Sequence, residues 1–354
     1  MTGLRTALTE ALGIRYPIVQ TGMGYVAGAG LAAATSAAGG LGVIASATMS
    51  LAELRVAVAE VKRRTDAPFG VNLRTDAADA RERVDLIIAE GVRVASFAQA
   101  PDRDLIQRLR DAGVFTMPSV GARRHAEKVA AWGVDAVVVQ GGEGGGHTGQ
   151  VPTSLLVPQV VDAVDVPVVA AGGYFDGRGL VSALAYGAAG IAMGTRFLLT
   201  SDSPVPDVVK RAYLAASVTD TVVTRRVDGV PHRVLRTPTI AALESAGPVA
   251  TVVRAARHAV GYRRLTGTPW RTLLTDGRAM RRDRGLSWAQ VLQAANTPMM
   301  LRAAMVDGRT AYGVMASGQV AGLIEDLPSC AELIDRVVVQ ALEVIEQLDR
   351  TRQQ

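Results

Sequence analysis

A chain of 354 residues with 49% apolar content can bury a large core, and it suits either one large domain with an insertion or two domains. Its single cysteine, Cys330, excludes an intramolecular disulfide and a cysteine-rich metal site, and no apolar run is long enough to cross a bilayer. The net charge of +5 comes without interleaved aromatic and basic residues, which argues against a nucleic-acid partner. Because the N-terminal segment also lacks the residue order of a secretory signal, we expect a cytoplasmic protein that binds no membrane.

Short apolar runs alternate with amphipathic stretches between Tyr16 and Leu199. There are eight runs, over residues 17–20, 41–46, 69–73, 93–98, 114–119, 136–140, 167–172 and 190–194. The intervals, such as 51–64, have helical periodicity, so consecutive strands are expected to be joined by right-handed parallel crossovers. Eight such units predict an α/β fold of the (β/α)₈ TIM barrel type, with an open doubly wound sheet as the alternative.

The loop after the sixth run, QGGEGGGHTG (140–149), is rich in glycine and carries one histidine. Glycine loses more conformational freedom on folding than any other residue, so this density indicates a backbone that approaches a flat ligand closely or takes positive φ angles. His147 is therefore the first candidate for chemistry, and a flexible surface loop with an incidental histidine is the alternative. Glu143 is a candidate partner for His147 or for a neighbouring backbone group, or else an exposed loop acid.

Small and polar residues follow several of the predicted strands, where TIM barrels carry their catalytic groups. Those after runs seven and eight are Gly172, Gly173, Gly194 and Thr195. They could cradle a phosphate, because glycine allows close approach of backbone N–H groups, and the helices that begin near Asp176 and after Ser203 present positive N-terminal ends. The same glycines could instead only close tight turns.

The alternation of strand and helix patterns is lost after residue 219. We predict a barrel domain over 1–219, a mostly helical lid or substrate domain over 220–319 with helix-like stretches at 262–274 and 287–305, and a C-terminal segment over 320–354. Ser329 and Glu332 have capping-box spacing, which places Cys330 at the start of a long amphipathic helix that packs back on the barrel.

The chain lacks the residues that several known mechanisms of barrel enzymes require. The three lysines, which a Schiff-base mechanism would place at a strand end, all lie in helix-like stretches: Lys62, Lys128 and Lys210. Cys330 lies beyond the eighth unit, which argues against a cysteine nucleophile. The other histidines are scattered in helix or insertion contexts, so we expect no metal site: His125, His232 and His258.

A histidine beside glycines at a phosphate-binding barrel end fits carbon-acid chemistry. A neutral imidazole can remove a proton from a carbon next to a carbonyl or nitro group while an electron-accepting ring takes the hydride. A flavin is implied by this mechanism and permitted by the phosphate site.

Six segments together resemble the nitronate monooxygenase family, also called 2-nitropropane dioxygenase-like, which includes FMN enoyl reductases of fatty acid synthesis. They are QTGMG (20–24), FGVNL (69–73), GGEGGGHTG (141–149), AAGGYFDGRG (170–179), YGAAGIAMGTRFL (186–198) and GQVAGLIEDLPS (318–329). The resemblance covers essentially the whole chain and implies an FMN-binding barrel with an inserted lid and His147 as the catalytic histidine. The positions that it implies in FMN binding are Gly22, Met23, Asn72, Gln140, Gly172, Gly173, Met193, Gly194 and Thr195.

Within that family, the segments 194–203, 227–237 and 296–308 resemble an actinobacterial branch that acts in steroid and cholesterol degradation. This implies a flavin-dependent dehydrogenase that introduces a carbon–carbon double bond into a bicyclic ring-C/D acyl-CoA thioester. His147 would remove the proton alpha to the thioester, the beta hydride would go to flavin N5, and NAD or another acceptor would take the electrons. The sequence leaves open whether the protein forms a homodimer.

Positive charge is concentrated in one segment that could hold the CoA phosphates. Between Asp220 and Gly285 there are thirteen arginines against five acids. Arginine pairs with phosphate through two parallel hydrogen bonds, and the candidates are Arg225, Arg226, Arg233 and Arg236. A solvated charged face is the alternative.

Three other functions remain open. Nitronate oxidation would use the same cofactor, although a small nitronate has no use for a basic lid. An enoyl-thioester reductase would run the same chemistry in reverse. A flavin-containing binding module would have no turnover, and His147→Ala separates it from the enzymes.

Overall fold

The computed structural model describes residues 4–98, 102–245 and 288–353. The predicted helical stretch at 262–274 and His258 lie outside the described residues. The chain divides into two compact units, here called the barrel unit (Met1–Gly144, Thr148–Pro204 and Leu323–Gln354) and the second unit (Gly145–His147 and Val205–Gly322). This division follows Pro204, whereas the sequence analysis placed the domain boundary after residue 219.

Eight parallel strands of the barrel unit close into a barrel, which confirms the predicted (β/α)₈ architecture. They are β1 (Ile18–Gln20), β2 (Leu41–Ala45), β3 (Phe69–Leu73), β4 (Val94–Phe97), β5 (Phe115–Val120), β6 (Val137–Gln140), β8 (Val168–Ala171) and β9 (Gly190–Met193). The open-sheet alternative is excluded, because β1 pairs with both β2 and β9.

One helix of the barrel unit precedes β1, and the others come after strands of the barrel. They are α1 (Ala7–Leu12), α2 (Ala29–Ala37), α3 (Leu51–Arg64), α4 (Ala80–Ala89), α5 (Arg103–Asp111), α6 (Arg123–Ala130), α7 (Thr153–Val161), α8 (Gly177–Ala185), α9 (Thr195–Leu198) and α13 (Cys330–Gln353). Local sequence sets several of their starts, since Ser50 and Glu53 form a capping box at α3 and Asp102 caps α5.

The C-terminal helix α13 begins where the sequence predicted. Ser329 and Glu332 exchange the two bonds of a capping box, with Ser329 N donating to Glu332 Oε2 at 2.8 Å and Glu332 N donating to Ser329 Oγ at 3.2 Å. Cys330 is fully buried, and burial raises the pKa of its thiol to about 12. The thiol is therefore protonated at neutral pH and serves packing.

The core of the barrel unit is built from alternate residues of its strands. Val19, Val43, Val94 and Met117 belong to one buried cluster with further strand residues. Leu8, Leu12 and Ile14, in and just after α1, join the same cluster. Because strand side chains alternate between the inside and the outside of a barrel, this cluster is the packed barrel interior that holds the strand ends in fixed positions.

The second unit contains an antiparallel sheet that the sequence analysis did not predict. Its strands are β7 (Gly146–His147), β10 (Thr221–Thr224) and β11 (His232–Leu235), in the order β10-β11-β7. The helices described in this unit are α10 (Asp207–Leu214), α11 (Pro238–Glu244) and α12 (Trp288–Met305). The prediction of a mostly helical lid was therefore incomplete.

A small hydrophobic core supports this sheet. Val227, Val234, Ile240, Leu243 and Val314 form one buried cluster, against which Val222, Met300 and Leu301 pack. The helix α10, which lies within the predicted barrel domain over 1–219, belongs to the second unit. Among the described residues, no helix is long and apolar enough to span a bilayer.

Candidate functional site

The first strand end of the barrel is fixed by a buried amide. Gln20 is fully buried; its Nε2 donates to Val43 O at 3.2 Å, and its Oε1 accepts from Val43 N at 3.3 Å. The next residue, Thr21, donates its N–H to Met193 O at the end of β9 at 3.1 Å. These bonds hold the loop that carries Gly22 and Met23 between the ends of β2 and β9.

Close packing brings this loop against two other predicted cofactor residues. A Cβ added to Gly22 would lie 2.5 Å from Asn72 Cβ, and a Cβ added to Gly194 would lie 3.4 Å from Met23 Sδ. Asn72 is 7% exposed, and its Nδ2 donates to Ser96 Oγ at 3.1 Å. Residues from β1, β3 and β9 thus form one contiguous surface at the carboxyl end of the barrel.

The loop after β8 adds two consecutive glycines in the left-handed region. Gly172 has φ +105° and Gly173 has φ +81°. A Cβ on Gly172 would lie 2.8 Å from Thr153 Oγ1, so packing within the protein already requires this glycine. A Cβ added to Gly173 would lie 3.7 Å from Glu143 Cβ, an ordinary contact distance. This leaves space for a ligand to approach the Gly173 backbone.

Tyr174 follows these glycines and has an unusual environment. It is 7% exposed, and its hydroxyl is buried without a hydrogen-bond partner in the described structure. Burial, with smaller contributions from Tyr186 and Glu143, raises the pKa of this phenol. A buried O–H without an acceptor is costly, so the hydroxyl is a donor that a bound polar group could satisfy.

Glu143 contacts Thr153 at the start of α7. Its carboxylate accepts bonds from Thr153 N at 2.9 Å and from Thr153 Oγ1 at 2.7 Å. Of the roles considered for Glu143, the structure thus shows the bond to a neighbouring backbone group. Gln140, at the end of β6, lies against Gly144, where an added Cβ would be 2.7 Å from its Nε2.

The helices predicted near Asp176 and after Ser203 are present as α8 and α10, but the N-terminus of α8 already has protein partners. At α8, Asp176 Oδ1 accepts from Gly179 N at 3.0 Å, and Gln340 Oε1 accepts from Gly177 N at 2.7 Å. Side chains of the protein therefore occupy the terminus that the sequence analysis offered to a phosphate. The helix that directly follows β9 is the short α9, with Gly194 as its N-cap residue.

These observations fit an FMN cofactor. Gly173 offers open backbone, the Tyr174 hydroxyl offers a buried donor, and the glycines at positions 22 and 194 allow close approach between strand ends. Loops after strands seven and eight of a TIM barrel frequently bind phosphate. The residues that could hold the cofactor thus belong to five strand ends of the barrel unit, those of β1, β3, β6, β8 and β9.

In the second unit, His147 forms a short hydrogen bond with a carboxylate distant in sequence. Its Nε2 lies 2.6 Å from Asp228 Oδ2, 81 positions further along the chain. His232 pairs with His147 across the sheet, with ring centroids 4.7 Å apart, and its Nδ1 lies 3.6 Å from the same Asp228 oxygen. The side chains of Asp228 and His232 are 12% and 5% exposed, and that of His147 is 44% exposed.

The charge of Asp228 is stabilised by the two histidines. Burial by itself raises the pKa of this carboxyl, but the hydrogen bond with His147 and the nearby His232 ring outweigh burial and hold the pKa below its ordinary range. Asp228 is therefore ionised at neutral pH and acts as a hydrogen-bond acceptor.

Two histidines and a carboxylate could in principle hold a metal ion, since their ligand atoms lie within 4.8 Å of one another. Ligand atoms around a tetrahedral Zn²⁺ are about 3.3 Å apart, given bonds of roughly 2.0–2.1 Å. The 2.6 Å between His147 Nε2 and Asp228 Oδ2 is shorter and is a hydrogen-bond distance. The cluster is thus assembled as a hydrogen-bonded group.

All four predicted substrate-binding arginines lie in one hairpin of the second unit. Arg225 and Arg226 are exposed in the turn between β10 and β11, and Arg236 is exposed just after β11. Arg233, on β11, is partly buried, and its Nη1 donates to Thr221 Oγ1 at 3.0 Å. Three of the four are therefore exposed to solvent.

Sequence reasoning missed Asp228 and misjudged His232, which it regarded as one of several scattered histidines. The local signal was weak: Asp228-Gly229 lies within the connection 225–231 between TVVT and HRVL, which is longer than the two-residue loop for which an Asp-Gly pair indicates a hairpin. Gly229 has φ +89°. The pairing of β11 with the two-residue strand β7 carries no comparable sequence signal.

The closed barrel has its glycine-rich strand ends on the face where TIM-barrel enzymes carry their active sites. The family profile described as nitronate monooxygenase matches residues 5–340. The chain belongs to the nitronate monooxygenase family, and it is a flavin-dependent oxidoreductase.

Two curated relatives are similar over nearly their full length. A protein of Mycobacterium tuberculosis is 62% identical over 342 residues, covering 96% of both chains. A protein of Rhodococcus jostii is 58% identical over 352 residues, covering 99% of this chain and 100% of the relative. Both are named (3aS,4S,5R,7aS)-5-hydroxy-7a-methyl-1-oxo-octahydro-1H-indene-4-carboxyl-CoA dehydrogenase.

Among solved structures, FabK from Thermotoga maritima superimposes with a TM-score of 0.81 and 35% identity, covering 98% of this chain and 99% of FabK. The family, the barrel and the enzyme class that the sequence analysis predicted are thereby confirmed.

Proposed function

We propose that the protein introduces an α,β carbon–carbon double bond into a bicyclic, steroid-derived acyl-CoA thioester during steroid and cholesterol ring C/D degradation. The observation that carries this proposal is the sequence identity of 62% and 58% to two dehydrogenases named for a hydroxy-methyl-oxo-octahydroindene carboxyl-CoA. The proposal includes a cytoplasmic location, where acyl-CoA thioesters are made and consumed.

His147 is the proposed base. Its side chain is 44% exposed, and its partner Asp228 is ionised, so the imidazole can take the proton from the carbon alpha to the thioester and be stabilised as a cation. The carbonyl of the thioester acidifies that carbon. When FMN is bound, it supplies the acceptor for the hydride of the beta carbon.

The proposed FMN residues are those at the strand ends of the barrel unit: Gly22, Met23, Asn72, Gln140, Gly172, Gly173, Met193, Gly194 and Thr195. The open space at Gly173 and the close approach of Gly22 to Asn72 support this assignment. We further propose that residues 1–219 serve cofactor binding and residues 220–319 serve substrate binding.

Arg225, Arg226, Arg233 and Arg236 are the proposed contacts to the CoA phosphates. Their location in one hairpin and the exposure of three of them support this role, because a phosphate needs donors that solvent can reach. We propose NAD as the final electron acceptor; it would enter after the product leaves, because the chain shows no separate dinucleotide fingerprint.

Family membership favours nitronate oxidation as a second candidate. One experiment separates the two: the visible flavin spectrum of the purified protein, recorded without oxygen while an octahydroindene carboxyl-CoA or an alkyl nitronate is titrated. Free CoA serves as the control. Flavin reduction by the thioester supports the dehydrogenase.

Each other outcome has its own meaning. Reduction by the nitronate alone would identify a nitronate oxidase and overturn the dehydrogenase. Bound flavin that neither compound reduces would indicate a binding module, and purified protein without affinity for FMN would contradict the cofactor assignment.

A further inference from the structure

The carboxylate of Asp228 is held in place by its own turn. Its Oδ1 accepts a bond from Val230 N at 3.2 Å, while its Oδ2 faces His147. The turn is anchored at the preceding residue, because Val227 is 1% exposed within the core of the second unit and its carbonyl accepts from Thr297 Oγ1 at 3.1 Å. Asp228 therefore presents a fixed oxygen to the histidine.

We propose that Asp228 is a positioning residue that fixes His147 in the tautomer with its proton on Nε2, so that Nδ1 is the atom that accepts the substrate proton. This inference rests on the proposed function of His147 as a base. Neutral imidazole carries one proton, and a carboxylate can only accept a hydrogen bond. At 2.6 Å from an ionised carboxylate, Nε2 is the donor, and Nδ1 is then the unprotonated nitrogen.

His232 supports the same arrangement from the neighbouring strand. Its ring packs against the His147 ring at 4.7 Å with a tilt of 40°, and its Nδ1 lies 3.6 Å from the oxygen that accepts from His147. The pairing of β7 with β11 sets this spacing. In addition, the backbone of Gly145 lies close to Ser317 and Gly318. A Cβ added to Gly145 would lie 2.6 Å from the Gly318 nitrogen. The backbone that carries His147 is therefore held on both sides.

The direct test is the tautomer of His147, measured by ¹⁵N NMR with protein labelled at its histidines. The chain has four histidines, so the signals can be assigned with single His→Gln variants. We expect the wild type to show a protonated Nε2 and an unprotonated Nδ1 at His147. A proton on Nδ1 would overturn the inference, and this measurement needs neither substrate nor a variant of Asp228.

The second test is Asp228→Asn, because an amide offers both a donor and an acceptor and no longer selects one tautomer. We expect mixed His147 tautomers and a kcat for acyl-CoA-driven flavin reduction lowered on the order of 100-fold, with KM changed less than about threefold. Asp307→Asn, at an exposed acid of the same unit, is the control. A wild-type kcat in a folded Asp228→Asn variant would overturn the inference.

The two tests separate this inference from the proposed function. A wild-type protein that does not oxidise the acyl-CoA would overturn the proposed function, yet the tautomer measurement would still decide whether Asp228 positions His147. Thermal unfolding and flavin content of Asp228→Asn, compared with Asp307→Asn, show whether any loss of kcat arises from misfolding.

Discussion

The two units assemble their candidate residues in different ways. In the barrel unit, each proposed cofactor residue lies within a few positions of a parallel strand end, as Asn72 and Met193 do within β3 and β9. In the second unit, His147 and Asp228 are 81 positions apart and meet through a sheet of short antiparallel strands. A parallel barrel converts sequence position into spatial position, whereas the antiparallel sheet depends on a pairing that local sequence does not specify.

The barrel strand ends and the second unit also differ in the interactions that define their geometry. At the barrel strand ends, close steric approach decides which residues fit, as the contact between Gly22 and Asn72 shows. In the second unit, a short charge-assisted hydrogen bond and a shielded carboxylate define the geometry. Substitutions that add a methyl group should therefore affect the barrel most, and substitutions that remove charge should affect the second unit most.

The largest effect is expected for Gly42→Ala in β2. A Cβ at this position would lie 2.6 Å from the carbonyl carbon and 2.7 Å from Cα of Ala32 in α2, so helix and strand would have to separate. We expect the free energy of unfolding to fall by about 4 kcal/mol or more. Chemical denaturation measures the loss, and Gly28→Ala, where the added Cβ meets nothing within 4 Å, is the control. Equal stability of the two variants would contradict the packing argument.

The second-largest effect is expected when the proposed base, His147, is removed. His147→Ala should lower the rate of acyl-CoA-driven flavin reduction about 1000-fold, or about 4 kcal/mol in activation free energy, with flavin content retained. Stopped-flow absorbance measures the rate. His125→Ala, at an exposed histidine of α6, should leave the rate unchanged. Turnover that survives in His147→Ala would show that another group removes the proton.

A methyl group at the strand ends should weaken cofactor binding. In Gly22→Ala the new Cβ would lie 2.5 Å from Asn72 Cβ, so one of the two loops must shift. We expect the Kd for FMN to rise about tenfold, since a shift of the site costs on the order of 1.4 kcal/mol. Quenching of FMN fluorescence on binding to the apoprotein gives the Kd, again with Gly28→Ala as the control. An unchanged Kd would remove Gly22 from the proposed cofactor site.

Removal of the Asp326 charge in the barrel unit should lower the free energy of unfolding modestly. The side chain of Arg196 is 5% exposed, and its Nη1 donates to Asp326 Oδ1 at 2.9 Å; the Asp326 side chain is 46% exposed. Asp326→Asn should lower the free energy of unfolding by about 1–2 kcal/mol, below the value for a fully buried pair, because solvent screens the carboxylate and Arg196 Nη2 keeps Leu199 O as an acceptor.

The same pair predicts a pH dependence. Burial alone raises the pKa of Asp326, but its interactions with Arg196 and Arg336 hold the pKa below its ordinary value. A lowered folded-state pKa stabilises the fold above the unfolded value and loses this contribution as the pH falls through the folded value. The difference between wild type and Asp326→Asn should therefore shrink below about pH 4. Thermal unfolding at pH 7 and pH 3, with exposed Asp349→Asn as the control, tests this; a constant difference would contradict it.

The smallest effect is expected in the hairpin of the second unit. Replacing both Arg225 and Arg226 by Glu should raise KM for the acyl-CoA about fivefold, or about 1 kcal/mol, because both side chains are exposed and screened. The increase should shrink as salt is added. Arg350→Glu with Arg352→Glu, exposed on α13, is the control. Unchanged KM would leave the hairpin arginines without a role in substrate binding.

Local residue patterns are sufficient to predict the barrel. The eight apolar runs match the eight strands because parallel strands buried on both faces need continuous apolar residues, and this pattern is local. The positions of the glycines at the barrel strand ends were predictable for the same reason, since a barrel places all carboxyl strand ends on one side. The capping box at Ser329 and Glu332 is likewise a local pattern.

The folded molecule was needed to identify the partner of His147, the occupied N-terminus of α8 and the three-stranded sheet of the second unit. A two-residue strand such as Gly146–His147 has no periodicity to recognise, and its pairing with β11 depends on chain segments more than eighty positions apart. Gln340 reaches Gly177 only because α13 packs on α8. Long-range hydrogen bonds of this kind depend on three-dimensional proximity, which local residue patterns do not encode.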